Sequence, residues 1–341
     1  MVRASIDLCP GGYGGQICFV NGDPAALITL TNSRMNARCL FVLASLIAAC
    51  CARSADTDSS ARYGDLFYAP LTNAPFPHQS RTQGYVYDGK NYDSTNHYSD
   101  HRVAFFIPKN FRPGTNVDFV IHFHGWRAKV ENVPGKFRLI EQFAAASKNA
   151  ILILPQGPRD APDSFGGKLE DEGGFARFME EAMAKLRTRP GMSNASVGRI
   201  ALSGHSGGYH VIASILDKGG LTPQIDEVFL FDAMYGGTDS FLKFLENRPD
   251  ARLIAIYTKD GGTLKETQKF IGLLREKKIP AVVRQEDGLR PRDLHGSRAY
   301  VFFSDLGHSE VIYARNQFRD YLGTSRLPSL DPKSKDQPAR K

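Results

Sequence analysis

The chain has 341 residues, 42% hydrophobic and 23% charged, the balance of an ordinary globular protein. Its formal charge of +7 comes from scattered basic residues, with no Lys/Arg block interleaved with aromatics, so nucleic acid is not an expected partner. All five cysteines (Cys9, Cys18, Cys39, Cys50 and Cys51) precede residue 52, which excludes disulfides, a thiol nucleophile and thiolate metal sites from the rest of the chain.

Residues 1–34 are glycine-rich and unpatterned, and read as an extension upstream of the true translation start at Met35. Residues 35–50 have the anatomy of a secretory signal. A short basic start around Arg38 leads into an apolar run over 39–49 that is too short for a comfortable membrane span. Ile47-Ala48-Ala49-Cys50 resembles the bacterial lipobox, which implies lipidation at Cys50 and a membrane anchor facing the periplasm or the cell exterior. A plain signal peptide cleaved near Ala52, giving a secreted or periplasmic protein, stays open, because Cys51 is unusual beside a lipidated cysteine. The small polar residues of 51–64 predict a flexible linker.

A catalytic domain is expected over 65–325 and a disordered tail over 326–341. Strands are predicted at 84–87 and 102–107, then at 117–123, 151–154, 197–203, 228–231, 253–257, 281–284 and 298–303. Between them, helices are predicted at 137–148, 175–186, 209–216, 240–246 and 264–277, with a last one at 309–321. Short apolar runs alternating with helices indicate a mostly parallel sheet with helices on both faces. The stretch 156–174 is long, irregular and rich in Gly and Pro; it is expected to border a substrate cleft.

Three segments carry chemistry. Gly204-His205-Ser206-Gly207-Gly208 lies between a strand and a helix, the context of a nucleophile elbow. His124-Gly125-Trp126 follows the strand at 117–123. His308 follows the last strand, about a hundred residues beyond Ser206. Together these resemble the α/β-hydrolases over roughly residues 83 to 323, in the chain order oxyanion loop, Ser, acid, His. The resemblance implies the α/β-hydrolase fold and an oxyanion hole formed by the backbone N–H groups of Trp126 and Gly207. Only one helix fits between the strands ending at 231 and 257, so no large lid domain is expected.

A serine hydroxyl is a weak nucleophile until a base takes its proton, and His308 is the candidate base. The acid that orients it is Asp232 or Asp260. Asp232, at a strand end among apolar residues, is preferred; Asp260 holds the family's usual position but sits in ordinary turn chemistry beside two glycines. His124, His205 and Tyr235 are candidates to line the substrate site. A metal held by His122, His124 and His205 is not expected, since no carboxylate stands at ligand spacing. The implied activity is an exported serine hydrolase that needs no cofactor and cleaves small or polymeric carboxylic esters. Amide or peptide hydrolysis by the same triad, or a noncatalytic envelope lipoprotein using the fold to bind, remain alternatives.

Overall fold

Period-two alternation along the apolar runs decides which side of a central sheet each side chain meets. In the computed structural model, which describes residues 60–330, Phe119 and Ile121 pack on one face of the sheet and Val120 on the other, all fully buried. The chain divides into a segment Met1–Thr57, outside the described residues, and a unit from Asp58 onward that holds all of them.

In chain order the first elements are β1 (Gly64–Pro70), β2 (Tyr85–Tyr87), β3 (Lys90–Tyr92), α1 (Ser94–His97), β4 (Arg102–Pro108) and β5 (Asn116–Phe123). Next come α2 (Val133–Lys136), α3 (Leu139–Ala145), β6 (Ala150–Pro155), α4 (Gly174–Leu186), β7 (Ser196–His205) and α5 (Tyr209–Lys218). The rest are β8 (Ile225–Phe231), α6 (Thr238–Asn247), β9 (Arg252–Thr258), α7 (Leu264–Glu276), β10 (Ala281–Gln285), β11 (Ala299–Ser304) and α8 (Gln317–Gly323).

Nine strands form one sheet in the order β1-β4-β6-β5-β7-β8-β9-β11-β10. The β1/β4 and β4/β6 pairs are antiparallel, and every pair from β6 to β10 is parallel. On one face, α4, α5, α6 and α7 contribute Phe178, Ile212, Phe241 and Phe270. On the other, α3 and α8 contribute Phe143, Phe318 and Tyr321. This is the α/β-hydrolase architecture, with an extra parallel strand, β10, at one edge. Helix α6 alone occupies the connection from β8 to β9.

Several expectations need correction. The strand at 84–87 does not join the main sheet; it pairs with β3 as a separate hairpin, and the sheet edge is taken by β1, whose half-exposed residues hide its strand character. Residues 60–64 are not linker: the Tyr63 N–H bonds the Ser60 carbonyl, and β1 begins at Gly64. The helix expected at 137–148 covers only Leu139–Ala145; a short helix, Val133–Lys136, precedes it, and Arg138 between them lies in the left-handed region, φ 51°. That expected at 309–321 starts only at Gln317, because Asn316 has φ 59° and interrupts it. Residues 326–330 are not a loose tail, since Leu327 is buried and the Leu330 N–H bonds the Ser147 carbonyl. The extension 1–34, the signal segment with Cys50, residues 51–59 and the tail from 331 lie outside the described residues.

Candidate active site

The carboxyl ends of the parallel strands bring the chemical groups together. Ser206 follows β7, Asp232 follows β8, His308 lies on the loop after β11, and His124-Gly125-Trp126 follows β5. Such a crevice, beside the strand where the winding direction reverses, is where open α/β sheets bind ligands.

Ser206 is the corner between β7 and α5, with φ 54°. A non-glycine residue rarely adopts that conformation, and it persists because the strand and helix on either side are anchored in the core. Gly125 runs directly against it: a β-carbon there would lie 2.6 Å from Ser206 Cβ. The two loops expected to furnish the oxyanion donors therefore meet at the serine. The N-terminus of α5 adds a partial positive charge to the same spot.

His308 is joined to Asp232. Its Nδ1 lies 2.7 Å from Asp232 Oδ2, and a carboxylate oxygen there makes Nδ1 the donor, leaving Nε2 to accept. Asp232 is 0% exposed and has φ 43°. Burial pushes its carboxyl toward protonation, but hydrogen bonds from His308, Thr258 and Thr263 outweigh it and hold the pKa below the ordinary value. Asp260, the other candidate acid, is exposed on the turn after β9 and makes no hydrogen bond to His308. No hydrogen bond joins Ser206 to the His308 ring. Ser206 instead lies beside the Tyr235 hydroxyl, which donates to the Gly261 carbonyl. Burial, followed by the charge of Asp232, pushes the Tyr235 phenol up to about 12.

Two residues expected to line the substrate site are turned inward. His124, 8% exposed, donates from Nδ1 to the Gly125 carbonyl at 2.8 Å, while its Nε2 accepts from the Gly157 N–H and the Gln156 amide, each at 2.9 Å. His205, 5% exposed, donates from Nε2 to the His308 carbonyl at 3.0 Å, and its ring lies 4.6 Å from that of His308. Both are structural supports. Burial pushes His205, and likewise His122, down to about 3, so both stay neutral. Tyr235 remains at the site, and Trp126 and Gly207 lie against each other beside Ser206.

Other contributors carry no sequence signal of their own. Thr258 and Thr263 are ordinary residues near a turn until the fold aims both hydroxyls at Asp232. Glu286, buried after β10, accepts from Ser304, Gln317 and Arg315, and so ties down the chain on both sides of His308. In the stretch 156–174, Ser164 Oγ accepts from the Trp126 indole at 2.8 Å, so this loop does border the site.

No protein-family model matches the chain, and no curated protein is detectably similar to it in sequence. Solved structures similar in chain path include a ferulic acid esterase, 12% identical, with a TM-score of 0.49 over 76% of this chain and 98% of that one. The feruloyl esterase module from Clostridium thermocellum is 10% identical, with a TM-score of 0.47 over 77% of this chain and 88% of that one. The fluorophosphonate-binding serine hydrolase F of Staphylococcus aureus is 11% identical, with a TM-score of 0.46 over 77% of this chain and all (100%) of that one. The fold assignment rests on the strand order and directions described above.

Proposed function

We propose that the protein is a serine hydrolase that cleaves carboxylic esters through an acyl-enzyme. The observation that carries this reading is the buried, ionised Asp232 bonded to His308 Nδ1 beside a serine held at positive φ. His308 Nε2 takes the Ser206 proton as Oγ attacks the ester carbonyl. The carbonyl oxygen becomes an oxyanion, which the N–H groups of Trp126 and Gly207 stabilise. The tetrahedral intermediate collapses, and the alcohol leaves with the proton from His308. Water, deprotonated by the same ring, then hydrolyses the acyl-enzyme and restores Ser206. Asp232 keeps the ring in the required tautomer and stabilises the imidazolium that forms in each half-reaction. The Ser206–His308 hydrogen bond closes as substrate binds, since catalytic hydrogen bonds are often long in unliganded sites.

A fluorophosphonate probe tests this reading. The purified protein is expected to take one label at Ser206 and to hydrolyse nitrophenyl acetate, and a folded Ser206→Ala variant is expected to do neither. Loss of a triad nucleophile can cost on the order of 10⁶ in kcat. Near-normal turnover by the variant would defeat the mechanism. We also propose export, with lipidation at Cys50 tethering the domain to a bacterial membrane. What supports it is the Ile47-Ala48-Ala49-Cys50 motif after the short apolar run.

A further inference from the structure

Trp126 is the single tryptophan of the chain. Its indole edge lies over the residue that follows the nucleophile: a β-carbon on Gly207 would come 2.9 Å from Cδ1. The indole N–H is already engaged by Ser164 Oγ. The ring itself remains 45% exposed, whereas the other large aromatic side chains among the described residues are mostly buried. Tyr87, 38% exposed, reaches it from the hairpin of β2 and β3. The two ring centroids are 5.2 Å apart and the planes 73° apart, so together they form an open, nearly right-angled aromatic corner beside Ser206.

The space behind the oxyanion loop is of a different kind. The cavity lined by His124, Gly157, Ser164, Gly166, Gly207 and Val211 has a volume of about 20 Å³. That is room for about one water molecule, not for an acyl chain. The bulk of a substrate whose carbonyl sits at Ser206 does not fit that cavity, and the exposed apolar surface beside the oxyanion loop includes the Trp126–Tyr87 corner. Near that corner the indole N–H donates to Ser164 and one Arg127 N–H donates to the Tyr92 hydroxyl at 3.0 Å. The surface the corner presents is mainly ring face and ring edge.

We propose that Trp126 and Tyr87 form a subsite for a planar aromatic ring attached close to the scissile carbonyl, so that the preferred substrates are aryl-bearing esters rather than long-chain acyl esters. A ring lying on the indole face meets the Tyr87 ring edge-on, the geometry in which aromatic quadrupoles attract. This inference rests on the serine hydrolase reading for where the carbonyl lies, and it specifies the substrate class.

Because the chain has one tryptophan, indole fluorescence reports on this corner alone. The test uses the full chain carrying Ser206→Ala, so that esters bind without turnover. Phenyl acetate and methyl benzoate are titrated in, each against an alkyl ester of equal carbon number, and glucose pentaacetate serves as the sugar arm. The expected result is a saturable change in Trp126 emission with at least one aryl ester and none with its alkyl counterpart. Adding Tyr87→Ala is expected to weaken that binding roughly 2- to 12-fold, the worth of one aromatic pair. No saturable change with either aryl ester, an equal response to the alkyl esters, tighter binding of the sugar ester, or no effect of Tyr87→Ala each overturns the subsite. Binding is read without a nucleophile. Absent fluorophosphonate labelling therefore defeats the hydrolase reading alone, and an absent fluorescence response in a protein that labels normally defeats the aromatic subsite alone.

Discussion

Asp232 and Gly261 are in such close contact that a β-carbon on the glycine would stand 1.8 Å from the carboxylate Oδ2. The same oxygen accepts from His308 at 2.7 Å. The turn after β9 thus acts as a wall against which the carboxylate is set. Gly261→Ala is expected to displace Asp232 and to lower kcat by roughly 10² or more, bounded by the ~10⁴ that follows loss of a triad aspartate. The overpacking also costs about 1–3 kcal/mol of stability. Steady-state kinetics beside a urea melt checks this, and an alanine variant with unchanged kcat would contradict the contact.

The acid itself can be tested by a pair of substitutions. Asp232→Asn is expected to lower kcat by about 10⁴, because the amide no longer selects the His308 tautomer or stabilises its charge. Asp260→Asn, on an exposed turn, is expected to stay within about twofold, as surface changes of up to ~0.5 kcal/mol do. The reverse pattern would transfer the role to Asp260.

His124 acts through its neighbour. Its Nδ1–H bonds the Gly125 carbonyl, which shares a peptide plane with the Trp126 N–H. Fixing the carbonyl therefore fixes the direction of the N–H proposed for the oxyanion hole. His124→Ala is expected to lower kcat by about 10²–10³, the effect of losing one oxyanion donor, with little change in KM. A rise confined to KM, with kcat unchanged, would place His124 outside the catalytic step.

Acid stability follows from the two buried neutral histidines. Burial lowers His122 and His205 from the ordinary 6.5 to about 3 in the folded protein. Below pH 6.5 the unfolded chain takes up these protons and the folded one does not. The stability they support is therefore fully present above that value and is lost progressively as pH falls toward 3. The slope is about 1.4 kcal/mol per pH unit for each group. Urea melts at pH 7 and pH 5 should show the loss, and His122→Phe should make it shallower. Equal stability at the two pH values would show that these rings are not held neutral.

Location is tested from the sequence motif. Expression from Met35 with labelled palmitate is expected to yield a labelled, membrane-bound protein, and Cys50→Ala is expected to abolish the label. A soluble, unlabelled product beginning near Arg53 would establish an ordinary cleaved signal instead.

Ser206 and His308 were legible because an elbow and a terminal histidine depend on short-range context. Glycines must flank the serine for strand and helix to meet, and the apolar runs announce both strands. Continuous apolar runs likewise announced the central parallel strands, whose residues are covered on both faces. The edge strand β1 and the Tyr85–Tyr87 hairpin depart from the sequence-based expectation, because strands this exposed carry almost no burial pattern. The choice between Asp232 and Asp260 was left to the tertiary structure. Both follow strands, and only the packing of β9 against β8 aims the Thr258 and Thr263 hydroxyls and the Gly261 backbone at one of them. Local chemistry in the sequence pointed to Ser206 and His308 as candidate nucleophile and base. The electrostatic environment that keeps a buried carboxylate charged, and the aromatic corner joining Tyr87 to Trp126, depend on residues dozens of positions apart, and only the folded chain decides which of them meet.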